Sequence, residues 1–229
     1  MNLIRKIMKI VVFAPHPDDE IFGCGGSILN WIDEGHDVHI IYVTDNRVLI
    51  SWGLKANELL EEYIGDYIDL NEDQIAEIAL KEAESAAKAF GIPKNKIYYF
   101  KIHDQDAINK IDLGISLSKE IIKDADRIVI PGDIGSHPDH KATHIIAKRA
   151  AKELNLNAEY YVYYSVSPKE KQIKLKTAKH RERLYEIMKL YKTQLCQKGT
   201  NAAWGTLKRR RSERFGVYKL EDMDKYDNF

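Results

Sequence analysis

Cysteine is nearly missing from this sequence: Cys24 and Cys196 are the only two. Thiols so few and so far apart make neither a disulfide framework nor a cysteine-rich zinc module. Free thiols suit a reducing compartment, so the cytoplasm is the expected location. Net charge is missing as well. Lys+Arg and Asp+Glu each total 35, whereas a nucleic-acid or anionic-membrane partner ordinarily leaves a basic excess. No nucleic-acid partner is expected. The one dense basic run, Lys208-Arg209-Arg210-Arg211 with Arg214 beyond it, reads as a solvated face or loop. No apolar run approaches the length of a membrane span. The stretch from Met1 to Ile10, broken by Arg5, Lys6 and Lys9, has no signal-peptide pattern.

What is present is length and alternation. A chain of 229 residues buries enough apolar surface to need no disulfide or structural metal, so any metal site is free to do chemistry. Strand-like runs are predicted at 9–14, 38–44, 97–100, 127–130 and 160–165. Helix-like segments are predicted at 22–34, 74–90, 113–123, 140–154 and 177–191. Glycines and prolines punctuate them, as at Gly35, Gly91 and Pro93. That alternation predicts a Rossmann-like α/β fold: an open, mostly parallel sheet with helices on both faces, in one domain spanning 1–229. The segments 45–71 and 194–229 read as irregular, the usual character of functional loops. In such sheets ligands bind beyond the carboxyl ends of the strands, which makes the residues after each strand the ones to inspect.

The first strand runs into Pro15-His16-Pro17-Asp18-Asp19-Glu20. The fourth runs into Gly135-Ser136-His137-Pro138-Asp139-His140. A catalytic metal needs three protein ligands and an open position. His16, Asp19 and His140 supply them, two from one tight turn and one from a distant strand end. Two imidazoles and a carboxylate suit Zn2+, and iron, manganese or cobalt also fit. Asp18, beside a ligand, is placed to take a proton from water as general base. His137, three residues before His140, is placed to stabilise an oxyanion. Asp139 is expected to accept a hydrogen bond from His137, orienting it and raising its pKa. A single such cluster is more simply a cap or a turn. Two at strand ends are harder to explain that way.

Gly23-Cys24-Gly25-Gly26 lacks the dinucleotide spacing, because Ile28 stands where the last glycine belongs; a turn that lets the helix pack closely is expected. His144 lies one turn after His140 without the Glu of the metalloprotease helices and reads as structural or as support for the site. Trp52, Tyr63 and Tyr67 suit stacking on a ligand ring, core contacts or oligomer contacts equally, and Trp204 poses the same choice near the C-terminus.

At these motifs the sequence resembles the PIG-L/LmbE-like zinc de-N-acetylases. The motif pair stands in that family's order, and the resemblance covers roughly residues 7 to 165, more weakly to Phe215. It implies His16, Asp19 and His140 as zinc ligands, Asp18 as base, and His137 with Asp139 behind it at the oxyanion. It also implies removal of an acetyl group from an N-acetylglucosamine-type sugar or conjugate. The small-molecule partner is then an N-acetylated sugar, and room remains for a homo-oligomer. Rival readings are a metal-dependent hydrolase of another amide, an ester or a phosphoester, and a metal-containing binding protein without turnover. Two departures fall on the sugar side. Thr44-Asp45-Asn46-Arg47 stands where the family commonly reads Thr-Asp-Gly-Glu, with Arg47 assigned to substrate binding. The Arg that often precedes the Glu at Glu82 is replaced by Ile78 and Ala79.

Overall fold

The structure is a computed structural model describing residues 6–132, 137–164 and 171–222. Its strands are β1 (Lys9–Ala14), β2 (Asp37–Thr44), β3 (Ile97–Ile102), β4 (Arg127–Pro131), β5 (Glu159–Tyr163), β6 (Lys171–Lys176) and β7 (Ser212–Tyr218). They form one seven-stranded sheet in the order β3-β2-β1-β4-β5-β7-β6. The first five strands of that order are parallel, and β7 and β6 join antiparallel. The helices are α1 (Asp19–Asp33), α2 (Leu49–Ala56), α3 (Glu61–Ile64), α4 (Glu72–Phe90), α5 (Ile111–Ile122), α6 (Pro138–Glu153), α7 (Arg181–Met188), α8 (Lys192–Leu195) and α9 (Lys198–Leu207).

The central strands are apolar on both faces because both faces are covered. Successive residues point to opposite sides of a strand. Along β1, Ile10, Val12 and Ala14 join a core with residues of α1, α4 and α7, while Val11 and Phe13 join one with α5 and α6. The Ala/Glu/Lys composition of α4 supplies a small apolar stripe, Ala79, Ala83, Ala86 and Ala87, that lets it lie close to the sheet. Asn71 and Gln74 form a capping box at its start, and Gly91, at φ 97°, closes it.

The open α/β sheet expected from the sequence is borne out, with two additions. The strands β6 and β7 were not legible as strands. In β6 the pattern Lys-Gln-Ile-Lys-Leu-Lys packs Ile173 and Leu175 against the core from a lysine-rich edge. The segment expected to be one helix over 177–191 ends at Met188, and α8 begins at Lys192. The stretches 45–71 and 194–222 are not irregular. They contain α2, α3, the end of α8, α9 and β7, and are joined by a bridge between Leu59 and Gln197 and a hydrogen bond from Leu60 N to Cys196 O (2.8 Å). Residues 223–229, Gly135, Ser136 and Ser165 lie outside the described residues. Among the described residues no helix is long and apolar enough to cross a membrane.

Candidate metal centre

The sheet order places β1 and β4 side by side, and the chain leaves them in opposite directions, which makes their carboxyl ends the switch point of the fold. His16, Asp18 and Asp19 follow β1. His137, Asp139 and His140 follow β4, at the start of α6. His137 is the N-cap of that helix and Pro138 its first residue.

The local chain around His16 is held firmly. Tyr163 Oη donates to Phe13 O (2.7 Å), and Thr44 donates through both N and Oγ1 to Pro15 O (2.9 and 2.8 Å). Asp18 takes φ 111°, a left-handed conformation costly for a residue with a Cβ. Its N–H donates to Glu20 Oε2 (3.2 Å), and Tyr191 Oη donates to the other oxygen of the fully buried Glu20 (2.5 Å). Burial pushes Glu20 up to about 7.

His16, Asp19 and His140 converge. His16 Nδ1 lies 3.2 Å and His140 Nε2 3.3 Å from Asp19 Oδ2, and one ligand atom from each residue lies within 4.8 Å of the others. The other ring nitrogen of His16 meets carboxylates: Nε2 is 3.2 Å from Asp139 Oδ2 and 3.4 Å from Asp104 Oδ1. Burial alone would lower the His16 pKa, but Asp104, Asp139 and Asp19 together hold it well above the ordinary value. Burial acts to raise Asp19, yet His140 and His16 hold it well below the carboxylate range. Asp139 likewise stands at about 2, its burial outweighed by His16 and by the N–H of Gln105. Three buried carboxylates around two imidazoles form a pocket that stabilises a positive charge. Nitrogen and carboxylate donors of this kind suit a divalent transition metal. A second group of donors, His16, Asp104, His137 and Asp139, shares His16 with the first.

Asp139 departs from expectation. Its carboxylate accepts from Gln105 N (2.7 Å) and Ala107 N (3.2 Å) and faces His16, whereas His137 Nδ1 is 4.0 Å away. Asp139 therefore orients His16, not His137. The backbone N–H of Asp139 donates to His137 Nδ1 (3.4 Å), which leaves Nε2 as the protonated nitrogen of a neutral ring. The His137 pKa is lowered, first by burial and then by His16, contrary to the raised value expected. The His137 and His16 rings stand 4.6 Å apart. His144 Nδ1 bonds Pro131 O (2.9 Å), fastening α6 to β4 as a structural residue.

The cluster opens into a cleft of about 750 Å³. Arg47 is not among the residues that line it. Its guanidinium is held by both oxygens of Asp45 and by Asp73. The neighbouring Asn46 and the half-exposed Trp52 line the cleft instead, with Gln194, Gln197 and Arg210 from the C-terminal segment. The basic run is therefore not merely solvated. The helix α1 breaks at Cys24 (φ −150°), and Arg210 Nη1 donates to Phe22 O (2.6 Å) on one side of the break. On the other side Glu213 accepts from Gly26 N, Ser27 N and Ser27 Oγ (2.9, 2.8 and 2.6 Å). Close packing explains the glycines. A Cβ on Gly23 would lie 2.4 Å from the Tyr163 ring, and one on Gly26 2.5 Å from Thr177 Cβ. Asp104 was missed, although it lies two residues after the end of β3, where the strand-end rule directs attention.

Fold and cluster together define a Rossmann-like α/β protein with a His/Asp group suited to a metal at its switch point. Residues 11–151 match the model of the PIG-L family, described as GlcNAc-PI de-N-acetylase, and the chain belongs to that family. It is 26% identical over 149 residues to a probable N-acetyl-alpha-D-glucosaminyl L-malate deacetylase 2 of Bacillus cereus, a match covering 63% of this chain and 61% of that protein. The chain thus spans less than two thirds of the length of the curated relatives it matches. Its fold is similar to that of an N,N'-diacetylchitobiose deacetylase from Pyrococcus horikoshii (TM-score 0.71, 21% identity, 97% of this chain and 88% of that one). It is also similar to that of a 4-carboxy-2-hydroxymuconate hydratase from Pseudomonas putida (TM-score 0.63, 13% identity, 92% and 95%).

Proposed function

We propose that this protein is a zinc-dependent hydrolase that removes the acetyl group from the nitrogen of an N-acetylglucosamine-type sugar or conjugate. The observation that carries the reading is the meeting of His16, Asp19 and His140 at the mouth of a cleft, with Asp18 beside them. Family membership supports it, as do the names of the relatives, which act on N-acetylated amino sugars.

His16 Nδ1, Asp19 and His140 Nε2 would hold the ion. Zinc bound there supplies a Lewis acid that polarises the amide carbonyl and acidifies water at neutral pH. Asp18 accepts the proton of the attacking water. Burial, then its neighbours Asp19 and Glu20, pushes its pKa well above the carboxylate range, the direction that favours a proton acceptor. Its left-handed backbone, secured by Glu20, fixes where the carboxylate points. His137 donates from Nε2 to the carbonyl oxygen as negative charge develops there. Asp18 then returns its proton to the departing nitrogen, releasing acetate and a free amine. Asp139 and Asp104 hold the His16 ring from behind.

The test is primary-amine release from N-acetylglucosamine and diacetylchitobiose by the zinc-loaded protein, with an aryl phosphate as the competing substrate. Amine release that is lost on chelation and restored by zinc supports the reading. Cleavage of the phosphoester with no amine release contradicts it.

A further inference from the structure

A line of buried hydroxyls ends at the turn that carries Asp18. Tyr42 on β2, Tyr191 between α7 and α8, and Glu20 in the first turn of α1 are all fully buried. Tyr42 Oη lies 3.1 Å from Tyr191 Oη, Tyr191 Oη donates to Glu20 Oε1 (2.5 Å), and Glu20 Oε2 accepts from Asp18 N (3.2 Å). Tyr191 gives its only proton to the carboxylate, so Tyr42 is the donor between the two phenols. Tyr42 is braced in turn by Tyr99 on β3, whose ring stacks on it at 5.6 Å.

Asp18 needs such support. A left-handed backbone at a residue with a Cβ persists only where its surroundings over-determine it. Two anchors do so. The Asp18 carbonyl accepts from Ile21 N and Phe22 N (3.0 and 3.2 Å), which is the start of α1, and the Asp18 N–H is held by Glu20. The second anchor is a flexible side chain, and Tyr191 fixes its other oxygen. Without that hydroxyl, one oxygen of a buried carboxylate has lost its donor, and the group turns from Asp18 to find another. The stretch that follows Tyr191 also builds the cleft: Leu195 N donates to Tyr191 O (3.1 Å), and Gln194 lines the wall.

We propose that Tyr191, backed by Tyr42, is a positioning residue for the base. Its hydroxyl orients the Glu20 carboxylate, Glu20 holds the Asp18 N–H, and the Asp18 carboxylate is thereby aimed at the attacking water. Neither phenol touches the substrate or the metal ligands. The proposal rests on the deacetylase reading, in which Asp18 is the base, and extends the support of that base to a segment about 170 residues away in the chain.

Tyr191→Phe removes the hydroxyl and keeps the ring. Three quantities are measured on the zinc-loaded protein: kinetics of amine release from N-acetylglucosamine, zinc content, and hydrogen exchange at the Asp18 amide, which needs no turnover. The kinetic expectation is a kcat about tenfold lower with KM within about twofold and zinc content unchanged. The Asp18 amide is expected to exchange about tenfold faster while the amides of β1 keep their rates. Tyr42→Phe is expected to move kcat and exchange the same way by about threefold, because the donor to Glu20 remains. In a Glu20→Met background Tyr191→Phe is expected to cost less than about twofold further, since its route to Asp18 is gone. An Asp18 amide that exchanges at the wild-type rate in Tyr191→Phe overturns the proposal whatever the kinetics. So does a lower melting temperature with unchanged kcat, which marks a merely structural hydroxyl, and so does zinc lost in step with kcat, which places the effect at the metal. A further loss in Glu20→Met as large as in the wild type also overturns it. A wild-type protein that releases no amine overturns the deacetylase reading, and exchange at Asp18 then decides alone: faster exchange in Tyr191→Phe supports the positioning role and unchanged exchange overturns it.

Discussion

At Asp139 the carboxylate accepts from Gln105 N and Ala107 N and faces His16 Nε2, so it reaches the cluster through that ring. A carboxylate behind a metal-ligating imidazole fixes the ring and strengthens its donor atom. Asp139→Asn is therefore expected to weaken zinc affinity about 10–100-fold, read by competition with a chromogenic chelator. Retained affinity with a lost kcat would return Asp139 to His137. Asp18 makes the opposite prediction. With Asp18→Ala the metal content stays at the wild-type level while turnover drops about 10²–10⁴-fold, the usual worth of a general base. Elemental analysis beside the amine assay separates the two effects, and near-normal turnover would remove Asp18 from its role.

The broken helix α1 belongs to the element scale. It carries Asp19 on its first half and packs its second half against Thr177, and its break is stabilised from both sides by Arg210 and Glu213. Glu213→Gln leaves one acceptor oxygen for three donors, and an expected loss of about 1–3 kcal/mol follows from the unmet N–H groups. Chemical denaturation checks it, and an unchanged midpoint would show that the break stands without its cap. Gly23→Ala drives a Cβ into the Tyr163 ring and is expected to cost about 1–3 kcal/mol by overpacking.

The contact between α4 and α8 carries a pH signature. Burial pushes Glu82 from 4.5 to about 7 in the folded chain. Between those values the folded protein keeps a proton that the unfolded chain has released. Its contribution to stability is thus complete below about pH 4.5 and is lost as pH rises through about 7. Its size is on the order of 3 kcal/mol. Glu82→Gln should flatten that part of the stability-against-pH curve, measured as the difference from wild type between pH 5 and pH 8. A difference that does not change over that range would contradict the assignment.

On the scale of the whole molecule, the parallel half of the sheet was legible because buried strands carry apolar residues on both faces and glycines and prolines mark their ends. The His/Asp cluster was legible because its residues lie together at strand ends. The antiparallel addition was not. Ile173 and Leu175 alternate with lysines in a segment too polar to announce a strand, and Phe215 and Val217 follow a run of arginines that reads as solvated. Asp139 was found but its partner was not, because motif spacing gives proximity along the chain and not the direction of a side chain. The cleft wall was hidden for a related reason: it draws Asn46 and Gln194 from two segments far apart in sequence, which the Leu59–Gln197 bridge joins.

The claim on which the account stands is that one ion held by His16, Asp19 and His140 is needed for amide hydrolysis. The direct measurement is a zinc titration of metal-stripped protein, following amine release from an N-acetylated sugar. The account expects no turnover at the start, a rise that saturates at one zinc per chain, and no rise in His140→Ala. Full amine release from metal-free protein, or a rise of wild-type size in His140→Ala, would contradict it.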